Sequence, residues 1–181
     1  MRKHRRPPPT GITASLVLLL MLCSAFGCGG GANQQQGGGT TPERTALTPT
    51  TEVGVGQTAQ ISEPPQEVKV NQVQPNYTPP SGARAAQSGN QFILVDVSLT
   101  NTTNDTTTEY LPSKFSIEDN NGTLWPHTII IQVPDALNYS GSLAPGQTVR
   151  GNIVFEVPQN GSGFKLRYQP ENEIVKIDLS S

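Results

Sequence analysis

Apolar and polar residues alternate in short runs along most of the chain after about residue 52. In the clearest run, apolar side chains take every second position from Ile93 to Leu99. Because successive side chains of a strand point to opposite faces, this run predicts a strand with one apolar face. Phe92 and Leu94 add apolar cover to the other face, so the strand is expected to be central in its sheet.

The same alternation predicts seven further strands, and polar turn sequences separate them. Asp119–Gly122 reads Asp-Asn-Asn-Gly and is typical of a hairpin turn that needs a positive φ. No window of 11 or more residues after Cys28 shows a helical apolar period. The pattern predicts an all-β, antiparallel sandwich of seven or eight strands. The additional strands are expected within 58–61, 67–73, 114–117, 123–131, 149–157, 164–168 and 175–179.

Residues 1–27 have the pattern of a secretory signal peptide. Four basic residues within Met1–Arg6 precede an apolar run, and small residues follow it. The stretch Ile12–Gly27 has 16 residues, short of the roughly 20 that span a bilayer as a helix. An uncleaved single-pass anchor and the twin-arginine export route are the alternatives. Pro7 and the two prolines after it stand where the twin-arginine motif has an apolar residue.

Ala25-Phe26-Gly27-Cys28 resembles the lipobox of bacterial lipoproteins, although Leu is commoner than Ala at its first position. The resemblance implies diacylglycerol on the Cys28 thiol and cleavage between Gly27 and Cys28. Cys23 follows the bulky Leu22 and fits the cleavage site less well. The alternative is a secreted protein with a free thiol, which would be an oxidation liability. Two acyl chains suffice for stable membrane anchoring.

Residues 28–51 are predicted to form a lipidated, disordered tether. Runs of Gly, Gln and Thr dominate this segment, and only Ala32, Ala46 and Leu47 are apolar after Cys28. Such a composition buries too little surface to offset its backbone entropy. The predicted organisation is therefore a signal peptide over 1–27, a tether over 28–51 and a sandwich domain over 52–181.

Charge and composition exclude several classes of protein. Cleavage would remove four of the 12 basic residues and none of the 14 acidic ones, so the net charge falls from −2 to about −6. A negative domain disfavours nucleic acid and anionic lipid headgroups as partners. Two Cys in the whole chain are too few for a four-thiolate zinc site.

Candidate catalytic groups are few. His127 is the only histidine left after cleavage, and it lies between Pro126 and Thr128. Glu118 and Asp119 are adjacent, so on a strand they would face opposite sides and make a poor acid–base pair. No catalytic residue, metal ligand set or cofactor is predicted. Trp125, Tyr110 and Tyr139 could form a stacking platform for sugar, or could be packing residues.

One segment carries a family resemblance. Residues 145–158 read PGQTVRGNIVFEVP, and matching stretches occur at 53–58, 89–101 and 115–122. Together they resemble the telokin-like, immunoglobulin-like domain of unknown function found in many Gram-positive lipoproteins. A secreted mycobacterial antigen shares that sandwich. The resemblance covers about residues 52–180 and implies an immunoglobulin-like fold and an extracellular address, with no established activity. In this motif Gly151 is expected to permit close backbone approach or a bulge.

These observations predict a non-enzymatic binding or interaction module. It would be lipid-anchored through Cys28 to the outer face of the bacterial cell membrane and would bind a protein or cell-wall component. The alternatives are an accessory or structural lipoprotein of an envelope or transporter complex, and a hydrolase with an unrecognised site.

Overall fold

The computed structural model describes residues 49–180, which form eleven strands and a single-turn 3-10 helix at Pro112–Lys114. The strands are β1 (Thr50–Gly54), β2 (Thr58–Ser62), β3 (Pro65–Gln74), β4 (Asn90–Asn101), β5 (Thr108–Tyr110), β6 (Phe115–Glu118), β7 (Leu124–Pro126), β8 (Gly141–Leu143), β9 (Thr148–Pro158), β10 (Lys165–Tyr168) and β11 (Ile174–Asp178). The all-β prediction is confirmed.

The strands form a five-stranded sheet, a four-stranded sheet and a two-stranded ribbon. The five-stranded order is β1-β11-β10-β6-β7, the four-stranded order is β2-β3-β4-β9, and β5 pairs with β8. All pairs of strands are antiparallel except β1 and β11, which run parallel. β1 approaches β2 on one side of the sandwich, and β7 approaches β9 on the other.

The predicted number of seven or eight strands is too low. All eight predicted strands are present, and β1, β5 and β8 are additional. β5 and β8 have three residues each, which is too short to show an alternation along the sequence. β1 begins at Thr50, so regular structure reaches two residues into the segment predicted as tether.

The predicted strand over 123–131 is also too long. β7 ends at Pro126, whose missing N–H limits further pairing in the five-stranded sheet. His127 instead forms an isolated antiparallel bridge with Phe155 of β9. The chain therefore leaves one sheet and crosses to the edge of the other at this point.

β4 occupies the central position predicted from its pattern, between β3 and β9. Its inward-facing residues Val95, Val97 and Leu99 are completely buried in the core between the large sheets. On the opposing sheet, the rings of Phe115 and Tyr168 stack with their centroids 4.2 Å apart. These paired inner faces form one core without disulfides among the described residues.

A polar contact is buried at one end of this core. The Tyr168 hydroxyl donates to Gln66 Oε1 over 2.9 Å, and Gln66 is completely buried. Burial raises the pKa of Tyr168. The Gln66 amide nitrogen donates to the Glu109 carbonyl over 3.4 Å, which connects β3 to the short β5. The sheets are therefore joined by hydrogen bonds as well as by apolar packing.

Tyr168→Phe is expected to lower the free energy of unfolding by about 1–3 kcal/mol, because Gln66 Oε1 would be left buried without a donor. Urea unfolding followed by the fluorescence of Trp125, the single tryptophan, measures the loss. Tyr77→Phe is the matched control, because the buried Tyr77 hydroxyl has no hydrogen-bond partner among the described residues. Equal losses for the two variants would contradict a special role for the Tyr168–Gln66 contact.

Candidate binding surface

The segment after β7 covers the outer edge of β9, the last strand of the four-stranded sheet. The Thr128 N–H donates to the Val154 carbonyl over 2.7 Å, and the Leu137 N–H donates to the Asn152 carbonyl over 3.0 Å. The Asn152 N–H in turn donates to the Asp135 carbonyl over 2.8 Å. Residues 128–137 therefore protect part of a strand edge that would otherwise be free to pair with another chain.

Gly151 allows this segment to approach β9 closely. A Cβ at position 151 would lie 2.7 Å from the Leu137 backbone nitrogen and Cα. Leu137 is 7% exposed and belongs to the main core. The close approach predicted for Gly151 is thus confirmed, and the segment it accommodates forms the candidate surface.

The outer face of the four-stranded sheet carries a second apolar cluster. Phe92 and Leu94 of β4 pack there with Val154 of β9, as their outward positions predicted. Ile130 from the crossing segment is 7% exposed and completes the cluster. Ile130 therefore attaches the crossing segment to the sheet.

The residues on either side of Ile130 are exposed to solvent. Ile129 and Ile131 are each 61% exposed, and Tyr139 is 63% exposed. Leu124 on β7, at 46%, is the other large hydrophobic residue exposed within residues 49–180. Three of the four are therefore concentrated in one stretch of eleven residues. We call Ile129, Ile131 and Tyr139 the apolar rim.

A groove of about 130 Å³ lies beside the apolar rim. An apolar cavity of about 150 Å³ holds benzene, so the groove has the size of one apolar side chain. No charged side chain lines it. Its walls are Pro112, His127, Thr128, Ile129, Ile130, Val133, Ala136, Leu137, Asn138, Tyr139, Asn152, Ile153 and Val154.

His127 is part of this groove and has no carboxylate partner in a hydrogen bond or ion pair within the described residues. The imidazole is half-buried, and burial lowers the pKa of His127 below its ordinary value. The ring is therefore neutral at neutral pH and presents a polar but uncharged wall. Its surroundings resemble a binding groove more than a catalytic triad.

The three aromatic residues considered for sugar stacking do not form a joint platform. Tyr110 is only 5% exposed and belongs to the core. Trp125 is half-buried, and its indole nitrogen donates to Asp119 Oδ2 over 3.2 Å. Tyr139 alone presents its ring to solvent. Packing therefore accounts for Tyr110 and Trp125.

The neighbouring carboxylates Glu118 and Asp119 both have structural partners. Glu118 lies 2.7 Å from the Lys176 ammonium group. Asp119 Oδ1 accepts the N–H groups of Asn121 and Thr123, each over 2.9 Å. Burial acts to raise the pKa of Asp119, but these hydrogen bonds and that of Trp125 outweigh it and lower the pKa.

The same hydrogen bonds form the predicted hairpin turn between β6 and β7. Gly122 has a φ of +77°, and its N–H donates to the Asp119 carbonyl over 2.9 Å. The sequence at 119–122 is therefore accounted for by the turn.

Residues 49–180 hold neither a cluster of metal ligands nor a helix that could cross a bilayer. No group of three or more His, Cys, Asp or Glu side chains could hold a metal ion in this part of the chain. No helix in it has the length and hydropathy needed to cross a bilayer. Gly27 and Cys28, the predicted cleavage and lipidation residues, lie outside the described residues and stay predictions.

Several solved structures have the same sandwich. The chain matches the yjhA protein of Bacillus subtilis with a TM-score of 0.53 and 18% identity, over 71% of this chain and 99% of that one. It matches the secreted protein MPT63 of Mycobacterium tuberculosis with a TM-score of 0.56 and 14% identity, over 74% and 99%. At these identities the likeness shows the fold alone.

A third structure is the ycdA protein of Bacillus subtilis, a candidate lipoprotein, with a TM-score of 0.52 and 19% identity. That match covers 67% of this chain and 38% of the other. A comparison with curated proteins finds no match. The model of a domain of unknown function, DUF4352, matches residues 53–176, which is most of the region that the structure describes. The chain therefore belongs to the DUF4352 family.

Proposed function

We propose that this protein is a lipoprotein on the outer face of the bacterial cell membrane whose sandwich binds a protein partner and catalyses no reaction. The observation that carries the binding role is the apolar rim, Ile129, Ile131 and Tyr139, beside an uncharged groove. The alternative role as an accessory lipoprotein of an envelope or transporter complex would use the same surface with a particular partner.

Two observations support the proposed location: the sequence of residues 1–28, and the location of proteins with a similar fold. Met1–Arg6 and the apolar run after it have the pattern of an export signal, and Cys28 completes a lipobox. Among proteins of similar fold, ycdA is a candidate lipoprotein and MPT63 is secreted. After cleavage the chain would carry a net charge of about −6, so the lipid rather than the domain surface would hold it to an anionic membrane.

A binding role is supported by the physical character of the surface. Large apolar side chains exposed in one patch, with a polar border, are typical of interaction sites. Interfaces also draw much of their binding energy from an aromatic or aliphatic anchor in a pocket. Here the groove has room for one such anchor, and Tyr139 offers another at its edge.

The non-enzymatic part of the proposal is supported by how the candidate acids and base are used. Glu118 is paired with Lys176, Asp119 forms the hairpin turn, and His127 faces an apolar groove. A general acid or base has to lie within hydrogen-bond reach of the proton that it transfers, with its own proton free to move. Glu118 and Asp119 are instead held in structural contacts, and no carboxylate among residues 49–180 is paired with His127.

Photo-crosslinking from position 139 tests the proposal in intact cells that carry the full chain. A photoreactive phenylalanine analogue in place of Tyr139 is expected to give a discrete crosslinked protein species. Gln60, exposed on β2 at the other edge of the four-stranded sheet, is the matched control position. We expect at least a fivefold higher yield from position 139, and a loss of that yield when Ile129→Asp is added. Equal yields from the two positions would overturn the binding role of this surface.

A further inference from the structure

The N–H and C=O groups of Ile129 and Ile131 make no backbone hydrogen bond among residues 49–180. The chain turns at Ile131 and Gln132, where Gln132 has a φ of +64°, so the segment open to pairing ends at Ile131. Thr128, just before Ile129, donates its N–H to Val154, and pairing with β9 resumes only at Asp135. Ile129, Ile130 and Ile131 are exposed, buried and exposed in turn, which is the two-residue period of a strand. A row of unpaired N–H and C=O groups beside exposed apolar side chains is a template for strand pairing.

The sequence around these residues favours pairing with itself. Residues 127–133 read HTIIIQV, with three β-branched isoleucines, no Pro or Gly and no charge while His127 is neutral. Segments of this length with high β-propensity and low charge associate readily with identical segments. Pro126 and Pro134 stand on either side, where they limit how far such pairing can extend.

We propose that two copies of this chain pair through Ile129–Ile131. The segments run antiparallel about a twofold axis at Ile130, so that Ile129 of each copy lies across from Ile131 of the other. Ile130 of each copy stays buried in its own domain. Facing isoleucines on adjacent antiparallel strands bring their Cβ atoms to about 5 Å, which gives a direct apolar contact. The inference rests on the proposed function and names the partner of the same surface.

The surface is suited to a twofold arrangement in shape. In such an interface the same patch on each copy has to complement itself. Here one patch contains both a groove for one apolar side chain and the exposed ring of Tyr139. Each copy therefore supplies both a receptor and an anchor.

The charges near the groove would not repel a second copy of the chain that binds there. The adjoining polar hollow is lined by Asp96, Asp135 and Arg150, and shares Asn152 with the groove. Arg150 already pairs with Asp96, so close to one uncompensated negative charge lies at this border. A twofold axis there brings together little of the negative charge that the whole chain carries.

The size of the patch predicts a weak dimer. The apolar rim exposes on the order of a few hundred Å², comparable to the largest patch on an ordinary monomer. A stable interface buries about 800 Å² on each partner, so this one is expected to form mainly where copies are concentrated. Anchoring many copies on one membrane raises their effective concentration in this way.

Disulfide trapping between differently tagged full chains tests the pairing and its register. In the proposed register positions 129 and 131 of two copies are about 5 Å apart between Cα atoms, within disulfide range. Positions 129 and 129, or 131 and 131, are about 8 Å apart, because two residues of strand rise are added. Lipid on Cys28 would leave no competing thiol in the mature chain.

One tagged chain carries Ile129→Cys and a differently tagged chain carries Ile131→Cys. Cells that express both chains are expected to give at least five times more covalent dimer under mild oxidation than cells that express either chain alone. Leu124→Cys, at the exposed hydrophobic residue outside the groove, sets the background. A substitution that weakens the dimer should leave the fold intact, which excludes the buried Ile130. Thr128→Lys in both chains is used instead, because Thr128 is a half-buried neighbour of the pairing residues. We expect it to reduce trapping at least threefold.

The outcomes separate this inference from the proposed function. Suppose that the mixed pair forms no more covalent dimer than the Leu124→Cys background, while position 139 crosslinks to another protein. That result overturns the pairing of two copies and leaves the binding role of the surface intact. No crosslink from position 139 and no disulfide overturn both. If either single-cysteine variant forms more covalent dimer with itself than the mixed pair forms, the antiparallel register is wrong.

Discussion

Replacing Cys28 with serine is expected to abolish lipid attachment and to leave an uncleaved precursor. The lipobox resemblance assigns the diacylglycerol to the Cys28 thiol, and a serine hydroxyl cannot form that thioether. The peptidase cleaves only the lipidated form, so Met1–Gly27 would remain attached. Labelled palmitate followed on a gel measures both effects, because the precursor is heavier and carries no label.

Cys23→Ser is the matched control for this experiment. Cys23 lies five residues earlier, after the bulky Leu22, and is not expected to receive lipid. That variant should incorporate palmitate and be cleaved like the unchanged protein. Palmitate entering the Cys28→Ser chain, or lost from the Cys23→Ser chain, would contradict the assignment of the lipid to Cys28.

Gly151→Val is expected to be the most destabilising single substitution considered for the sandwich. Its Cβ would lie 2.7 Å from the Leu137 backbone, which cannot move aside as a side chain could. Displacing the segment costs about 2 kcal/mol for the exposure of Leu137. It costs about 1 kcal/mol more for each of the two backbone hydrogen bonds with Asn152 that it breaks. The expected loss in the free energy of unfolding is therefore about 4 kcal/mol.

Urea unfolding followed by Trp125 fluorescence measures this loss. Gly54→Ala on β1 is the matched control, because its added Cβ would meet only the Gln57 side chain at an ordinary 3.6 Å. We expect that variant to change the free energy of unfolding by less than about 0.5 kcal/mol. A Gly151→Val chain as stable as the Gly54→Ala chain would show that the segment at Leu137 adjusts without cost.

Gly151 connects the family motif to the candidate surface. In the stretch 145–158, Gly146 has a φ of +72° in the turn before β9, and Pro158 ends β9. Gly151, between them, is where the crossing segment approaches. The motif thus describes both a strand and the place where residues 128–137 attach to it. Those residues then present the apolar rim.

Other parts of the surface could not be predicted from local sequence. Thr123–Ile131 has the composition of a single strand, yet β7 ends at Pro126 and the chain crosses to the other sheet. The missing signal is the partner strand: the Phe155 bridge to His127 and the Val154 carbonyl that accepts the Thr128 N–H come from about 27 residues further along. Exposure of Ile129 and Ile131 follows from that crossing.

The sequence alone determined the all-β class, the presence of eight of the strands and the inward face of β4, because alternation of side chains is a local property of an extended backbone. It also determined the turn at Asp119–Gly122, because Asp119 accepts hydrogen bonds from the nearby N–H groups of Asn121, Gly122 and Thr123. The tertiary structure decided the parallel pairing of β1 with β11, the ribbon of β5 and β8, and the exposure of the apolar rim. Each of these depends on hydrogen bonds and packing between residues far apart in the chain, which no local pattern records.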